Sequence, residues 1–199
     1  GRRRRGGRGS ASTIEDLLRQ HEAESAPAGA DVEGPVEITL EEAYRGTTRS
    51  VTVPGGGASR TIDVTIPKGV RSGQRIRAAG QGPGGGDLYL VVQISPHPIF
   101  TRQGDDIVCE VAIAVWTAAL GGVAHVPTLG GQMTMTIPAG SRDGRTFRLR
   151  GQGMPHVRGE GPGDELVKIR LALPDPLTAR DRELFEEMRK LHEGTTTTT

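Results

Sequence analysis

Two stretches of this chain carry one frame. Residues 65–82 read TIPKGVRSGQRIRAAGQG and residues 136–153 read TIPAGSRDGRTFRLRGQG, so that Pro67 and Gly80 recur as Pro138 and Gly151, 71 positions on. In each copy an apolar strand stops at a proline, which has no N–H for a ladder. A glycine then turns the chain, and a second alternating strand runs into Gly-x-Gly. Such a duplication demands two sibling modules, each with its own core.

Composition says what those cores are made of. Among 199 residues there are 30 glycines and 13 prolines, but only three Phe, two Tyr and one Trp. Val, Ile and Leu must therefore fill the interior, which suits small β-sandwich-like domains of short strands. Cys109 is the single cysteine, so neither an internal disulfide nor a cysteine-based zinc site is possible. No apolar run reaches the ~18 residues a membrane helix needs, and no signal peptide is visible, so a cytoplasmic place is expected.

Residues 1–35 read as a Gly/Arg-rich linker with a short helix. Ser12-Thr13-Ile14-Glu15 has the form of a capping box, and Ile14, Leu17, Leu18 and His21 follow at helical spacing. The first module spans 36–103. Val36–Leu40 and Arg49–Val53 alternate as strands, Glu41–Gly46 forms a helical turn ending on glycine, and Pro54–Ala58 is a glycine-rich turn. Asp87–Ile94 is apolar enough for a central strand. The second module, 104–176, repeats the plan with a long strand Asp106–Val115, a helical turn Trp116–Gly122, and a last strand Glu165–Leu173. Residues 177–194 predict an amphipathic helix carrying Leu184, Met188 and Leu191, opened by Thr178 and Asp181. Residues 195–199 form an unstructured tail.

Catalytic and cofactor chemistry finds no support in these residues. The Gly80 and Gly151 loops open no helix and carry no Lys-Ser or Lys-Thr, so they read as hairpin turns, not phosphate loops. The five histidines are scattered without a metal-ligand spacing, and there is no Gly-x-Ser-x-Gly elbow. Cys109 falls mid-strand, where it reads as a small buried hydrophobe. The acidic doublets Glu41-Glu42 and Asp105-Asp106 read as ordinary solvated positions. A binding surface is what remains. Val36, Ile38, Val51 and Val53 lie on two alternating strands read as neighbours; they are either core or, if the outer edge is free, pockets beside unpaired backbone for an extended peptide.

VEITLEEAYRGTTRSVTV, IDVTIPKGVRSGQRIRAAGQG, GGGDLYLVVQISPHPIFTRQGDDI and the second GQGMP with GDELVKIRLALP are similar to the C-terminal client-binding region of DnaJ-type heat-shock co-chaperones. The resemblance covers roughly residues 34–193. Neither a His-Pro-Asp motif nor C-x-x-C repeats occur, which resembles the class without a zinc region, including the curved-DNA-binding co-chaperone. The chain is then expected to be a fragment whose Gly/Arg stretch follows a J domain. The resemblance implies two tandem sandwich-like domains, no cofactor, unfolded polypeptide clients, a DnaK-type ATPase partner, and a homodimer joined through Leu184, Met188 and Leu191. It also implies a client groove on the first domain, lined by Val36, Ile38, Val51, Val53 and Leu90 with Arg49 and Arg60 at its rim. Two other readings stand beside it. One is DNA binding through Arg2, Arg3, Arg4, Arg5 and Arg8; without the first eight residues, which hold these five, the formal charge of +1 becomes −4 over the other 191, so any such affinity rests on the tail. The other is a structural repeat protein without a client.

Overall fold

A computed structural model describes residue 29 and residues 31–53, 59–157 and 161–193. The expected helix over 12–21, the arginines at 2–8, the turn Pro54–Ala58 and the tail 195–199 lie outside the described residues.

The chain is mainly β, and the repeat is visible down to single hydrogen bonds. The first copy holds β1 (Val32–Ile38), α1 (Leu40–Arg45), β2 (Thr47–Val53), β3 (Arg60–Ile66), β4 (Arg75–Ala78) and β5 (Leu88–Ile94), followed by β6 (Phe100–Gln103). β7 (Asp106–Ala114), α2 (Val115–Leu120), β8 (Gly122–Thr128), β9 (Gly131–Ile137), β10 (Thr146–Leu149) and β11 (Glu165–Ala172) repeat the order, and α3 (Ala179–Glu193) ends it. One sheet runs β1-β5-β4 and its counterpart β10-β11-β7-β6, and each copy adds a two-stranded ribbon, β2-β3 or β8-β9. The Asp87 carboxylate accepts from Gly80 N–H at 2.8 Å, and the Asp164 carboxylate accepts from Gly151 N–H at 2.7 Å. Asp31 accepts from Asp87 N–H at 2.8 Å as Asp106 does from Asp164 N–H at 2.8 Å. The two Gly-Gln-Gly segments thus close antiparallel hairpins, β4-β5 and β10-β11, as expected.

Local chemistry accounts for the elements between. Thr39 and Glu42 form a reciprocal capping box at 3.2 and 2.9 Å, which starts α1, and Gly46 ends it at φ 79. A helix of six residues cannot stand alone. It is held because Leu40 and Ala43 are buried. The C-terminal helix begins with Thr178 and Asp181 exchanging bonds of 2.8 and 3.1 Å, as their spacing predicts, and this bonding keeps the Asp181 carboxyl below its ordinary range.

Contacts divide the chain into two units out of sequence order: the first runs to Ile107 and includes Arg150–Asp164, and the second holds Val108–Leu149 and everything from Glu165. The second copy's Gly-Gln-Gly segment is therefore built into the first unit. Met154 N–H donates to Asp105 O at 2.8 Å. A Cβ on Gly163 would come 2.1 Å from that same oxygen, and one on Gly69 would come 2.1 Å from Pro155 O. Arg102 fixes the arrangement from below, donating to Val70 O at 2.6 Å, Gly69 O at 3.0 Å and Gly104 O at 2.7 Å. The doublet Asp105-Asp106 is consequently not an idle solvated pair. Burial would raise the Asp105 carboxyl, but Arg71, bonded at 3.0 and 2.9 Å, with His156 and Arg102 nearby, holds it below the ordinary carboxylate range.

Candidate functional site

β2 has one partner. It pairs with β3 in antiparallel register from Thr47↔Ile66 to Val53↔Arg60, and among the described residues no strand pairs with its other edge. Along it Thr48, Ser50 and Thr52 face outward while Val51 and Val53 are buried. An open edge beside an apolar row is the geometry that accepts an extended peptide as a further strand: backbone groups give affinity and alternate side chains give selectivity.

The five apolar residues expected to line a groove are buried. Val36, Ile38, Val51, Val53 and Leu90 are 4, 1, 7, 2 and 1% exposed, so all five are core. Nor are the two strands neighbours in one sheet: β1 pairs in parallel with β5, Val36 opposite Val92, and β2 belongs to the ribbon. The reason is the period of two. Each strand has one apolar face, and both bury it together with Leu88, Val92, Val64 and Ile66. Arg49 stands partly exposed, held by Glu42 at 2.7 Å, with its buried Nε making no hydrogen bond to another protein group. Arg60, exposed on β3, donates to Gly80 O and Gly82 O at 3.4 Å.

A cleft of about 450 Å³ also opens in the first unit, with Leu40, Ile94, Pro96 and Phe100 as its apolar lining. Its histidine is already engaged. His97 accepts at Nδ1 from the Ile99 and Phe100 N–H groups at 3.1 and 3.0 Å, and its Nε2 meets Glu41 at 2.9 Å. The Glu41 carboxyl is held low chiefly by a backbone hydrogen bond. Among the described residues no group of three or more side chains could hold a metal ion. No helix there is long and apolar enough to cross a membrane.

The second unit buries an acid where its sibling has leucine. Glu165 follows Asp164 as Leu88 follows Asp87, yet Glu165 is a carboxylic acid at 0% exposure. Cys109 donates to its Oε1 at 3.0 Å and Oε2 has no protein partner. Burial drives the Glu165 carboxyl up, and burial followed by the bond to Glu165 pushes the Cys109 thiol up to about 12. Cys109 is thus the buried small side chain expected, and its thiol is unreactive at neutral pH. Leu184, Met188 and Leu191 are 46, 54 and 74% exposed, and no residue of α3 is buried, so the helix is not packed back on its own unit.

Comparison with known proteins matches residues 32–174 to the model described as the DnaJ C terminal domain. Chaperone protein DnaJ 2 of Synechocystis sp. is 42% identical over 164 residues, covering 82% of this chain and 52% of that protein. Curved DNA-binding protein of Coxiella burnetii is 39% identical over 176 residues, covering 80% and 55%. Chaperone protein DnaJ of Cereibacter sphaeroides is 46% identical over 141 residues, covering 67% and 37%. The chain spans about half the length, or less, of these curated relatives.

Proposed function

The chain belongs to the DnaJ C-terminal domain family, and on that premise we propose that its first unit holds extended apolar segments of unfolded polypeptide by adding them to β2 as a strand. The unpaired edge of β2, with Val51 and Val53 behind it, carries this reading. The client's alternate side chains would extend that aliphatic row, while Val36, Ile38 and Leu90 form the interior behind it and Arg49 and Arg60 border it. The work is binding, not catalysis. A DnaK-type ATPase as the recipient of the client, and a cytoplasmic place, follow from the family reading.

Magnitudes suit a holder that must let go. Two or three Val- or Leu-sized client side chains contribute about 1.5 to 3 kcal/mol each on burial. After the cost of ordering both chains, about −8 kcal/mol is the ceiling, so affinity is micromolar at its tightest. Titrating a fluorescent, extended apolar peptide should show such binding, and Val51→Ser should weaken it about tenfold, since it removes roughly one aliphatic contact. The variant must keep the wild-type circular dichroism spectrum. Equal affinities in two folded proteins would remove the β2 site, and no binding at all would favour the purely structural repeat.

Dimerisation through α3 is the second part of the proposal. The stripe Leu184, Met188 and Leu191 recurs at i, i+4, i+7 and is solvent-facing in the single chain, as a helix awaiting a partner helix would be. Leu184→Ser with Met188→Ser should lower the sedimentation mass about twofold at micromolar concentration. An unchanged mass would place the contact elsewhere. Two joined β2 edges raise avidity for one long client.

A further inference from the structure

From Val111 to Ser141 the chain contains no Asp, Glu, Lys or Arg, although a quarter of the sequence is charged. The corresponding stretch of the first copy, Val36–Val70, holds eight such residues. The uncharged stretch builds α2, β8 and β9 of the second unit. Its sibling shows what solvent-facing residues of this fold look like. The two short helices align through Gly46 and Gly121, which end them at φ 79 and 83, and through the buried Ala43 and Ala118. In that alignment Trp116 replaces Glu41, Leu120 replaces Arg45, and Val123 replaces Thr48. Those three side chains are 50, 79 and 59% exposed. Trp116 and Leu120 are four apart on one helix face with the exposed Ala119 between them. The start of β8 lies against the same helix, since a Cβ on Gly122 would stand 3.1 Å from Thr117 Cγ2.

We propose that this face, centred on Trp116, Leu120 and Val123, is a self-association surface that seats the same face of a second copy. Core burial cannot explain it, because the three side chains are outside the core. An exposed apolar patch carried on a stretch without charge has the composition of an interface centre, where Trp is enriched and charges are depleted. The missing charges also select the occupant. A partner that brought charged side chains here would strip them of water with no opposite charge on this stretch to meet. The stripe of α3 fails that requirement, because Arg180, Glu183, Glu187 and Lys190 flank it. An identical face meets it, and a twofold contact then pairs each uncharged surface with itself.

Sedimentation of the 199-residue chain tests this, with Trp116→Glu and Leu120→Arg grafting the residues the first unit carries. Done in a Leu184→Ser, Met188→Ser background, the measurement leaves the proposed face as the only contact in question. There the unaltered face should give a mass rising with concentration toward a dimer, and the grafted face should keep a mass about half as large at the highest concentration. Superimposable mass curves would overturn the proposal. So would a face that stays monomeric yet binds an apolar peptide, since that makes it a client site. Both grafted positions are exposed, so the spectrum should match wild type; if the pair does not fold, Val123→Lys serves as the variant.

Discussion

Gly69→Ala should cost the first unit at least about 3 kcal/mol of stability, whereas Gly140→Ala, the same position of the repeat, should cost only about 1 to 2. Both glycines have positive φ, 80 and 75, and alanine is strained there in either copy. The difference lies in what the new Cβ meets. At Gly140 nothing stands within 4 Å, but at Gly69 the Pro155 carbonyl oxygen is 2.1 Å away, with Val157 N at 3.1 Å. These are backbone atoms, so no side-chain rotation relieves the clash. The 150–164 segment would have to move, and with it the Met154 N–H to Asp105 O bond. The Gly69 and Val70 carbonyls, both bonded by Arg102, would be disturbed from the other side. Urea denaturation of the two variants compares them directly. Equal midpoints would mean that Pro155 does not rest on Gly69.

Glu165→Leu should stabilise the second unit by about 1 to 3 kcal/mol, the cost of a buried polar group left without a partner. Leucine is what the sibling already uses: Leu88 is 3% exposed at the corresponding place. The pH dependence makes the effect specific. Because burial raises the folded-state pKa of Glu165 above 4.5, its proton is bound more tightly in the folded chain. Its stabilising contribution is therefore complete below about pH 4.5 and is lost as pH rises through the raised folded value. Cys109, raised from 9.0 to about 12, acts with the same sign at alkaline pH. Wild type should thus lose stability from pH 5 upward along a slope that both Glu165→Leu and Glu165→Gln remove, but only the leucine should also gain stability at pH 4. A parallel pH profile for wild type and Glu165→Gln would show that Glu165 does not titrate within the fold.

Much of this fold was legible because the chain contains it twice. The Ile-Pro, Gly and Gly-Gln-Gly landmarks mark the same turns in both copies, and the alternation of Val51 and Val53 or Val36 and Ile38 marks strands. What could not be read was pairing over distance. β1 begins at Val32, because Gly34 and Pro35, which look like linker, lie in a strand paired in parallel with β5 more than fifty residues away. Proline is tolerated there because, among the described residues, that strand is paired along one side only. β6 was missed as well, being four residues long beside two prolines. Alternation reports which residues share a face, but it cannot say whether that face meets water or another sheet, and so the five aliphatic residues expected to line a groove are core. Two signals were within reach. Aligning Asp87-Leu88 with Asp164-Glu165 exposes the buried acid, and aligning the two short helices exposes Trp116 and Leu120.

The open edge of β2 can be watched directly by amide hydrogen exchange with and without a saturating extended apolar peptide. Strand addition requires that the β2 amides pointing away from β3 become protected by at least about tenfold, while those already bonded to β3 change little. The β8 amides should be unchanged, since the client is held by the first unit. Peptide bound at saturation with every β2 amide exchanging as before would contradict the account.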